Sequence, residues 1–480
     1  MENMKHDSTE TRRVLFISYS FPPNMEMGAF TCAQIARYLP LYGWEPVVLT
    51  IKEKYIDDPY VKHNDADRMS DSGLVIRTHK LPHPSDIYRR IKSRISGLRI
   101  ADCGLRIKDR DLQPAIRNPQ SAIRNRKVLD LRGLLLSFSS VPDKYNGWLI
   151  PAVAAGLRAI KQTKARVIYS SAPYFTSHLA GYWLALLTGL PWVAHFRDPW
   201  ITGALAEFRP DNKICFKINR ALERMAIRRA DAVICVTEEH AALMRAAYDQ
   251  TAGDQMAASK FAVVMNGFDG LEWQEAIESL HQNAQQAANG PRKFRITYAG
   301  DFYMKRNPAP LFRALRALID CGEMGRNEAS VELIGSCESS EGRSMADLVS
   351  EAGIEGCVEM TGRLSHSETL RRLLQSDLLL LLAEELVVQI PGKTFEYLKT
   401  RRPILALTSE GAVATLLRRT GGAWVVNPND QPGVINAVRE CYRLWKYGLP
   451  GPAPDPLIVE SFDRRGTTGR IAELLDFLAS

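Results

Sequence analysis

Short apolar runs, separated by stretches with helical spacing, recur along almost the whole chain, and this alternation limits the fold more than any other feature. The first series comprises Val14–Ile17, Pro46–Leu49, Val167–Tyr169, Trp192–Ala194, Ala232–Val236 and Ala262–Met265. A polar stretch rich in Gln, Asn and Ala follows, from Gln274 to Lys293. The pattern then restarts with Arg295–Ala299, Val331–Ile334, Leu378–Leu382, Ile404–Leu407 and Trp424–Val426. A strand with one wet face alternates apolar and polar residues, whereas a continuous apolar run suits a strand covered on both faces. Two such series, each interleaved with helices, predict an α/β chain with two doubly wound, Rossmann-like domains.

Helices are expected at Thr31–Leu41, Pro308–Ile319, Ser367–Gln375 and Thr394–Thr400. A last one, at about Thr467–Leu478, carries the apolar spacing Ile471, Leu474, Leu475, Leu478. Ser170 to Ala194 holds no Asp, Glu, Lys or Arg, but Gly189 and Pro191 break it, so it reads as helix then strand rather than a membrane span. The resulting division is an N-terminal domain over 1–273, a linker over 274–293, a C-terminal domain over 294–457, and a helix within 458–480 that returns to the first domain.

With 62 Lys+Arg against 54 Asp+Glu, the net charge of +8 hints at nucleic acid or membrane. The excess is local, however. Arg89 to Lys127 hold twelve Lys or Arg against three Asp, and the rest of the chain is close to neutral. A basic face spread over a folded domain, and with it nucleic-acid binding, is not supported. The same segment repeats GLRI at Gly97–Ile100 and Gly104–Ile107, and AIRN at Ala115–Asn118 and Ala122–Asn125. Pro114 and Pro119 exclude a coiled coil, so the segment reads as a low-complexity insert, with a basic arm on anionic lipid as the rival. The eight cysteines are scattered, without a CxxC pair, which fits a reducing compartment and no zinc site. The polar start MENMKHDSTETRR has no apolar core, and no signal peptide is expected.

In open α/β sheets ligands sit at the carboxyl ends of the strands. After the first run, Ser18-Tyr19-Ser20-Phe21-Pro22-Pro23 leads to Met27-Gly28-Ala29 and a helix, a loop suited to an anion or to nothing more than a turn. After Trp192–Ala194 comes His195-Phe196-Arg197-Asp198-Pro199-Trp200, more charge than a turn needs. The second series opens on Tyr298-Ala299-Gly300-Asp301, with Arg306 six residues beyond the glycine. After the Leu378 run, Lys393 and Glu396 are three apart and share a face of a helix's first turn. A cation for phosphate beside a carboxylate for a vicinal diol suits a nucleotide sugar, and a surface ion pair has the same spacing.

In order along the chain stand SYSFPP, MGA, LYGWEPVVLT, DKYNGW, SSAPYFTSHLAG, PWVAHFRDPW, ADAVICVTEEH, MNGFD, YAGDFYMKRNP, TGRLSH and IPGKTFEYLKTRRPILAL. Together they resemble the family-4-type retaining glycosyltransferases of the GT-B fold, two such domains facing a cleft. They are most similar to the group in bacterial surface and exopolysaccharide pathways, over almost everything except 85–130. The resemblance implies that Gly28 belongs to the glycine loop near the donor's reactive centre. It also implies that Arg197 and Asp198 face the cleft near sugar or acceptor, and that Arg306 contacts the donor diphosphate beside Gly300. Glu396 corresponds to the second glutamate of the family's pair, which holds the ribose, and Gly362, Arg363 and Leu364 lie by the nucleobase. Two positions depart from the pattern: Val388 stands where the first glutamate would be, and Asp301 where a basic residue usually follows the glycine. Lys393 is expected to restore positive charge.

The implied reaction is hexosyl transfer from a nucleotide-diphosphate sugar to a glycan or polyprenyl-linked acceptor. Retention follows from the resemblance alone. Transfer without a metal is expected, and no cofactor. The expected location is cytoplasmic, with peripheral contact to the inner face of an anionic membrane. Two alternatives keep the fold: a non-catalytic partner subunit and a nucleotide-sugar epimerase.

Overall fold

The computed structural model describes residues 12–24, 27–56, 73–83, 138–204, 210, 212–249, 260–283, 292–303 and 305–480. The basic segment 89–127 lies outside them.

The first sheet holds strands β1 (Arg12–Ile17), β2 (Trp44–Ile51), β3 (Leu74–Thr78), β4 (Val167–Ala172), β5 (Trp192–Phe196), β6 (Ala232–Cys235) and β7 (Phe261–Val263). Their order is β3-β2-β1-β4-β5-β6-β7, every pair parallel. The chain winds one way from β1 and the other way from β4, so the sheet's crevice opens between these two strands. Helix α1 (Met27–Tyr38) follows β1; α2 (Leu149–Thr163), α3 (Thr176–Thr188), α4 (Lys213–Arg229) and α5 (Glu238–Asp249) cover the rest. β1 and β4 bury both faces, which is why their sequences show no alternation.

Helix α6 (Gly270–Asn283) leads to the second domain. The polar stretch from residue 274, expected to be a linker, therefore begins inside a helix: Trp273 and Ala276 enter the second domain's core, while Gln274 and Gln282 are exposed. The second sheet contains β8 (Phe294–Ala299), β9 (Ala329–Ile334), β12 (Val358–Gly362), β13 (Leu378–Ala383), β14 (Ile404–Thr408) and β15 (Ala423–Val426). A short hairpin, β10 (Ser339–Ser340) with β11 (Arg343–Ser344), lies beside it. The order is β12-β9-β8-β13-β14-β15, again all parallel, with its crevice between β8 and β13. Helices α7 (Ala309–Asp320), α8 (Met345–Ala352), α9 (His366–Leu374), α10 (Gly392–Thr400), α11 (Ala412–Thr420) and α12 (Gln431–Lys446) flank it. Each sheet is sandwiched between two apolar clusters, one per face. These are the two doubly wound domains of a GT-B architecture.

The chain ends with α13 (Pro456–Glu460) and α14 (Arg464–Ala479). Val459 and Phe462 belong to the second domain's core, but Ile471, Ala472 and Leu475 pack with Val14, Phe16 and Val48 of the first. Asp476 accepts a hydrogen bond from Trp44 Nε1 at 2.7 Å and pairs with Arg12 at 2.8 Å. The crossing occurs at Asp463-Arg464, where the Arg464 N–H donates to the Phe268 carbonyl at 2.8 Å. Among the described residues no helix is long and apolar enough to cross a membrane.

Candidate active site

A cleft of about 1540 Å³ opens between the two sheets' crevices and is lined from both domains. On the second domain's side, β8 is followed by Gly300 with φ 129°, a conformation that glycine tolerates and other residues rarely adopt. The missing side chain has a use. A Cβ there would lie 2.4 Å from Lys393 Nζ, so the glycine leaves the space into which the ammonium reaches from the first turn of α10. Lys393 Nζ is buried, has no hydrogen-bond partner among the described residues, and sits 4.1 Å from the centre of the Tyr298 ring. Burial, and then the positive Arg306, hold its pKa well below the usual lysine value. Arg306 donates to the Asp301 carbonyl at 3.2 Å and to Tyr303 Oη at 2.7 Å, with its guanidinium 3.8 Å over that ring. Helix α10 has no side-chain cap, and Pro391, Gly392 and Lys393 at its start line the cleft. Two cations and an uncapped helix N-terminus thus meet, and neither cation has an ion pair among the described residues.

Asp301 does not cancel this charge. Its carboxylate accepts from the Ser336 N–H at 2.8 Å and pairs with Arg363, which also donates to Ser336 Oγ at 3.2 Å. Arg363 and Leu364 line the cleft. Gly362 is not among the lining residues; it ends β12 with φ 70°, and its carbonyl accepts from Gly335 N at 2.9 Å.

Glu396, one turn into α10, faces the cleft beside a histidine that the sequence reading did not single out. His366 Nε2 lies 3.5 Å from Glu396 and 3.1 Å from Glu272 on α6. Burial alone would lower the pKa of His366, but Glu396 and Glu272 outweigh it and lift it to about 9. Glu396 is itself raised by burial, with His366 opposing. Phe30 of the first domain stacks on the imidazole at 6.2 Å, and Gln34 donates to Glu272 at 3.4 Å. The imidazolium therefore joins the domains as well as the two carboxylates.

Across the cleft, Arg197 follows β5. Its Nε donates to Ser171 Oγ at 2.8 Å, and a Cβ on Gly28 would come within 3.0 Å of its guanidinium. Gly28 thus makes room for Arg197. Asp198 accepts from Gln389 Nε2 of the second domain at 2.8 Å, and burial raises its pKa against the pull of Arg197. Arg464, also lining the cleft, donates to Gln34 Oε1 at 3.3 Å and to the Gly267 carbonyl at 3.0 Å, burial lowering its pKa to about 10.

Val388 is turned the other way. It is 7% exposed, and a Cβ on Gly203 of the first domain would meet its Cγ2 at 3.1 Å. Its carbonyl accepts from Thr237 Oγ1 at 2.6 Å. The residue is an apolar contact between domains. The structure thus brings Gly28, Arg197, Asp198, Gly300, Arg306, Arg363, Leu364, Lys393 and Glu396 to one cleft. His366, Glu272, Gln389 and Arg464 join them from motif edges and from the chain's end, where single-residue spacing gives no signal.

Residues 113–264 match the family model described as a glycosyl transferase 4-like domain. No curated protein matches the chain. Among solved structures, the chain is similar to the N-terminal domain of Candida albicans trehalose-6-phosphate phosphatase, at 14% identity and TM-score 0.62, covering 97% of each chain. Sucrose-phosphate synthase from Thermosynechococcus elongatus gives 14% identity and TM-score 0.55, over 98% of this chain and 96% of that one. HepE from Anabaena, in complex with UDP and glucose, gives 15% and 0.53, over 96% and 95%. At these identities the structures speak for the fold, and the family model for the chemistry class. Residues 113–264 thus carry a glycosyl transferase 4-like domain within a chain of GT-B fold.

Proposed function

We propose that the protein transfers a hexose from a nucleotide-diphosphate sugar to a glycan or polyprenyl-linked acceptor, with retention and without a metal ion, in surface polysaccharide biosynthesis at the cytoplasmic face of the membrane. One observation carries the donor reading: the buried, unpartnered Lys393 ammonium beside Gly300, with Arg306 and the uncapped start of α10 around it. As the anomeric C–O bond breaks, its electron pair passes to a β-phosphate oxygen. Cations fixed where that charge grows stabilise the transition state without reorganising. Glu396 is placed to accept hydrogen bonds from a ribose diol, with His366 holding its carboxylate. Arg197 and Asp198, on the opposite wall, take the sugar or acceptor side.

UDP is the first nucleotide to try, because a HepE structure of the same fold holds it. Calorimetric titration with UDP, GDP and ADP should find one that binds, and Lys393→Met should weaken that binding at least tenfold. Failure of all three to bind at millimolar concentration would overturn the reading.

A further inference from the structure

The flank of the first domain carries a second charged feature, outside the cleft. Helix α4 has 17 residues, about 25 Å at 1.5 Å per residue. Asn212 at its cap, Cys215 and Asn219 line the cleft. The opposite ridge is Lys213, Lys217, Arg220, Arg224 and Arg228, at i,i+3 and i,i+4 spacing. Lys213, Lys217, Arg220 and Arg228 are exposed, and none has an ion pair among the described residues. The helix's one acid does not neutralise them. Glu223 is turned inward and accepts from the N–H groups of Ile201 and Thr202, from Thr202 Oγ1 and from Tyr248 Oη. Lys217, Arg220, Arg224 and Arg228 border a surface hollow of about 610 Å³ together with Tyr182 and Tyr248.

An apolar stripe adjoins this ridge. Arg229 Nη2 on α4 donates to the Ala185 carbonyl on α3 at 2.8 Å, so the two helices lie side by side. On its outer face α3 presents Trp183, Leu186 and Leu187, which are 43%, 52% and 57% exposed. The Trp183 ring meets Tyr182 edge-on at 5.5 Å, which links the stripe to the cationic hollow. Summed charge conceals the arrangement: outside 89–127 the chain is close to neutral, and the fold segregates these cations onto one helix face.

We propose that the α3–α4 flank docks on an anionic bilayer, with the α4 cations over headgroup phosphates and Trp183, Leu186 and Leu187 in the headgroup–acyl boundary. Cations beside large exposed apolar side chains are what an interfacial surface requires, and an acidic protein or a nucleic acid would leave the aliphatic stripe uncovered. Since α4 starts at the cleft rim, a lipid-linked acceptor in the same leaflet would meet the site within one helix length. That last step rests on the proposed function; docking itself does not.

The test is co-sedimentation of the full-length chain with phosphatidylcholine vesicles, with and without phosphatidylglycerol. Binding should require phosphatidylglycerol and fall at high salt. Each cation near an anionic leaflet is worth about fivefold in partitioning, so Lys217→Glu, Arg220→Glu and Arg228→Glu together should lower it by roughly 100-fold or more. Trp183→Ser with Leu187→Ser should remove the binding that persists in salt. All five positions are outside the core, so thermal midpoint and nucleotide binding should hold, which separates failure here from failure of the donor reading. Deleting 96–126 should leave vesicle binding intact. Equal binding to neutral vesicles, a triple variant within threefold of wild type, loss of binding on that deletion alone, or equally tight binding of duplex DNA or polyglutamate would each overturn the proposal.

Discussion

Lys393 Nζ fills the space that any side chain at Gly300 would claim, 2.4 Å from where a Cβ would stand. Glycine at the end of β8 is thus a steric condition for an ammonium in the cleft. Gly300→Ala should push the ammonium away and strain a backbone at φ 129°, lowering both kcat and thermal midpoint. Lys393→Met should lower kcat by about 10²–10³, the usual loss for one preorganised donor, without lowering the midpoint. It removes a buried charge that has no partner, and such a charge destabilises the free protein. Turnover and melting curves on both variants check this; a Gly300→Ala enzyme with kcat within threefold of wild type would refute the coupling.

Proton linkage offers a second check. The folded pKa of Lys393 is depressed, so the native state binds fewer protons than the unfolded chain between that value and about 10.5. Over this window the group's contribution to stability rises with pH. A diphosphate against the ammonium should restore its pKa, so nucleotide binding near the upper end of the window should take up a proton. Calorimetry in buffers of different ionisation enthalpy measures that uptake, and Lys393→Met should abolish it.

His366 predicts the opposite slope. Its folded pKa, about 9, lies above the ordinary histidine value near 6.5, so its contribution to stability is complete below that value and disappears as pH rises through 9. Deprotonation leaves Glu396 and Glu272 without their shared cation and weakens the contact with Phe30. Thermal midpoint and donor affinity should both decline between pH 6.5 and 9. In His366→Gln that decline should be absent, with donor KM at neutral pH raised about tenfold. A difference between wild type and His366→Gln that stays constant over this range would show that the imidazolium does not join the domains.

What the sequence made legible follows from burial. β13 shows as an unbroken apolar run because both its faces are covered, and β1 and β14 show for the same reason. The edge strands β3 and β12 escaped notice because solvent reaches them, and charged residues such as Arg77 and Glu359 interrupt the run. At the site, Lys393 with Glu396 was readable because one helix turn joins them. Gln389 with Asp198, Thr237 with Val388, and Arg464 with Gln34 were not, since each pair is separated by 150 residues or more and meets only in the folded chain.

Glu396 and Arg306 should separate kinetically. A carboxylate on the ribose binds ground state and transition state alike, so Glu396→Gln should raise donor KM with little change in kcat. In the proposed function Arg306 meets charge that grows during departure, so Arg306→Ala should reduce kcat by about 10²–10³. Initial rates over a donor series distinguish the two. A bland surface role for Arg306 would leave kcat within threefold.

Val388 allows the sharpest test of the cleft's boundaries. The sequence resemblance leads one to expect a glutamate at this place, yet here the side chain is packed against Gly203 of the other domain, and its carbonyl accepts from Thr237. A carboxylate introduced there would be buried without a cation, and an uncompensated buried charge costs on the order of 3 kcal/mol. Val388→Glu should therefore lower the thermal midpoint by roughly 5–10 °C. Donor KM should stay within about twofold, because the proposed diphosphate and ribose contacts come from Lys393, Arg306 and Glu396. Val388→Leu, apolar and larger, should also loosen the interface, by about 1–3 kcal/mol, the range for overpacking. If Val388→Glu instead left the midpoint unchanged and tightened donor binding, residue 388 would be reaching the sugar, and the apolar contact between domains would not be what holds it.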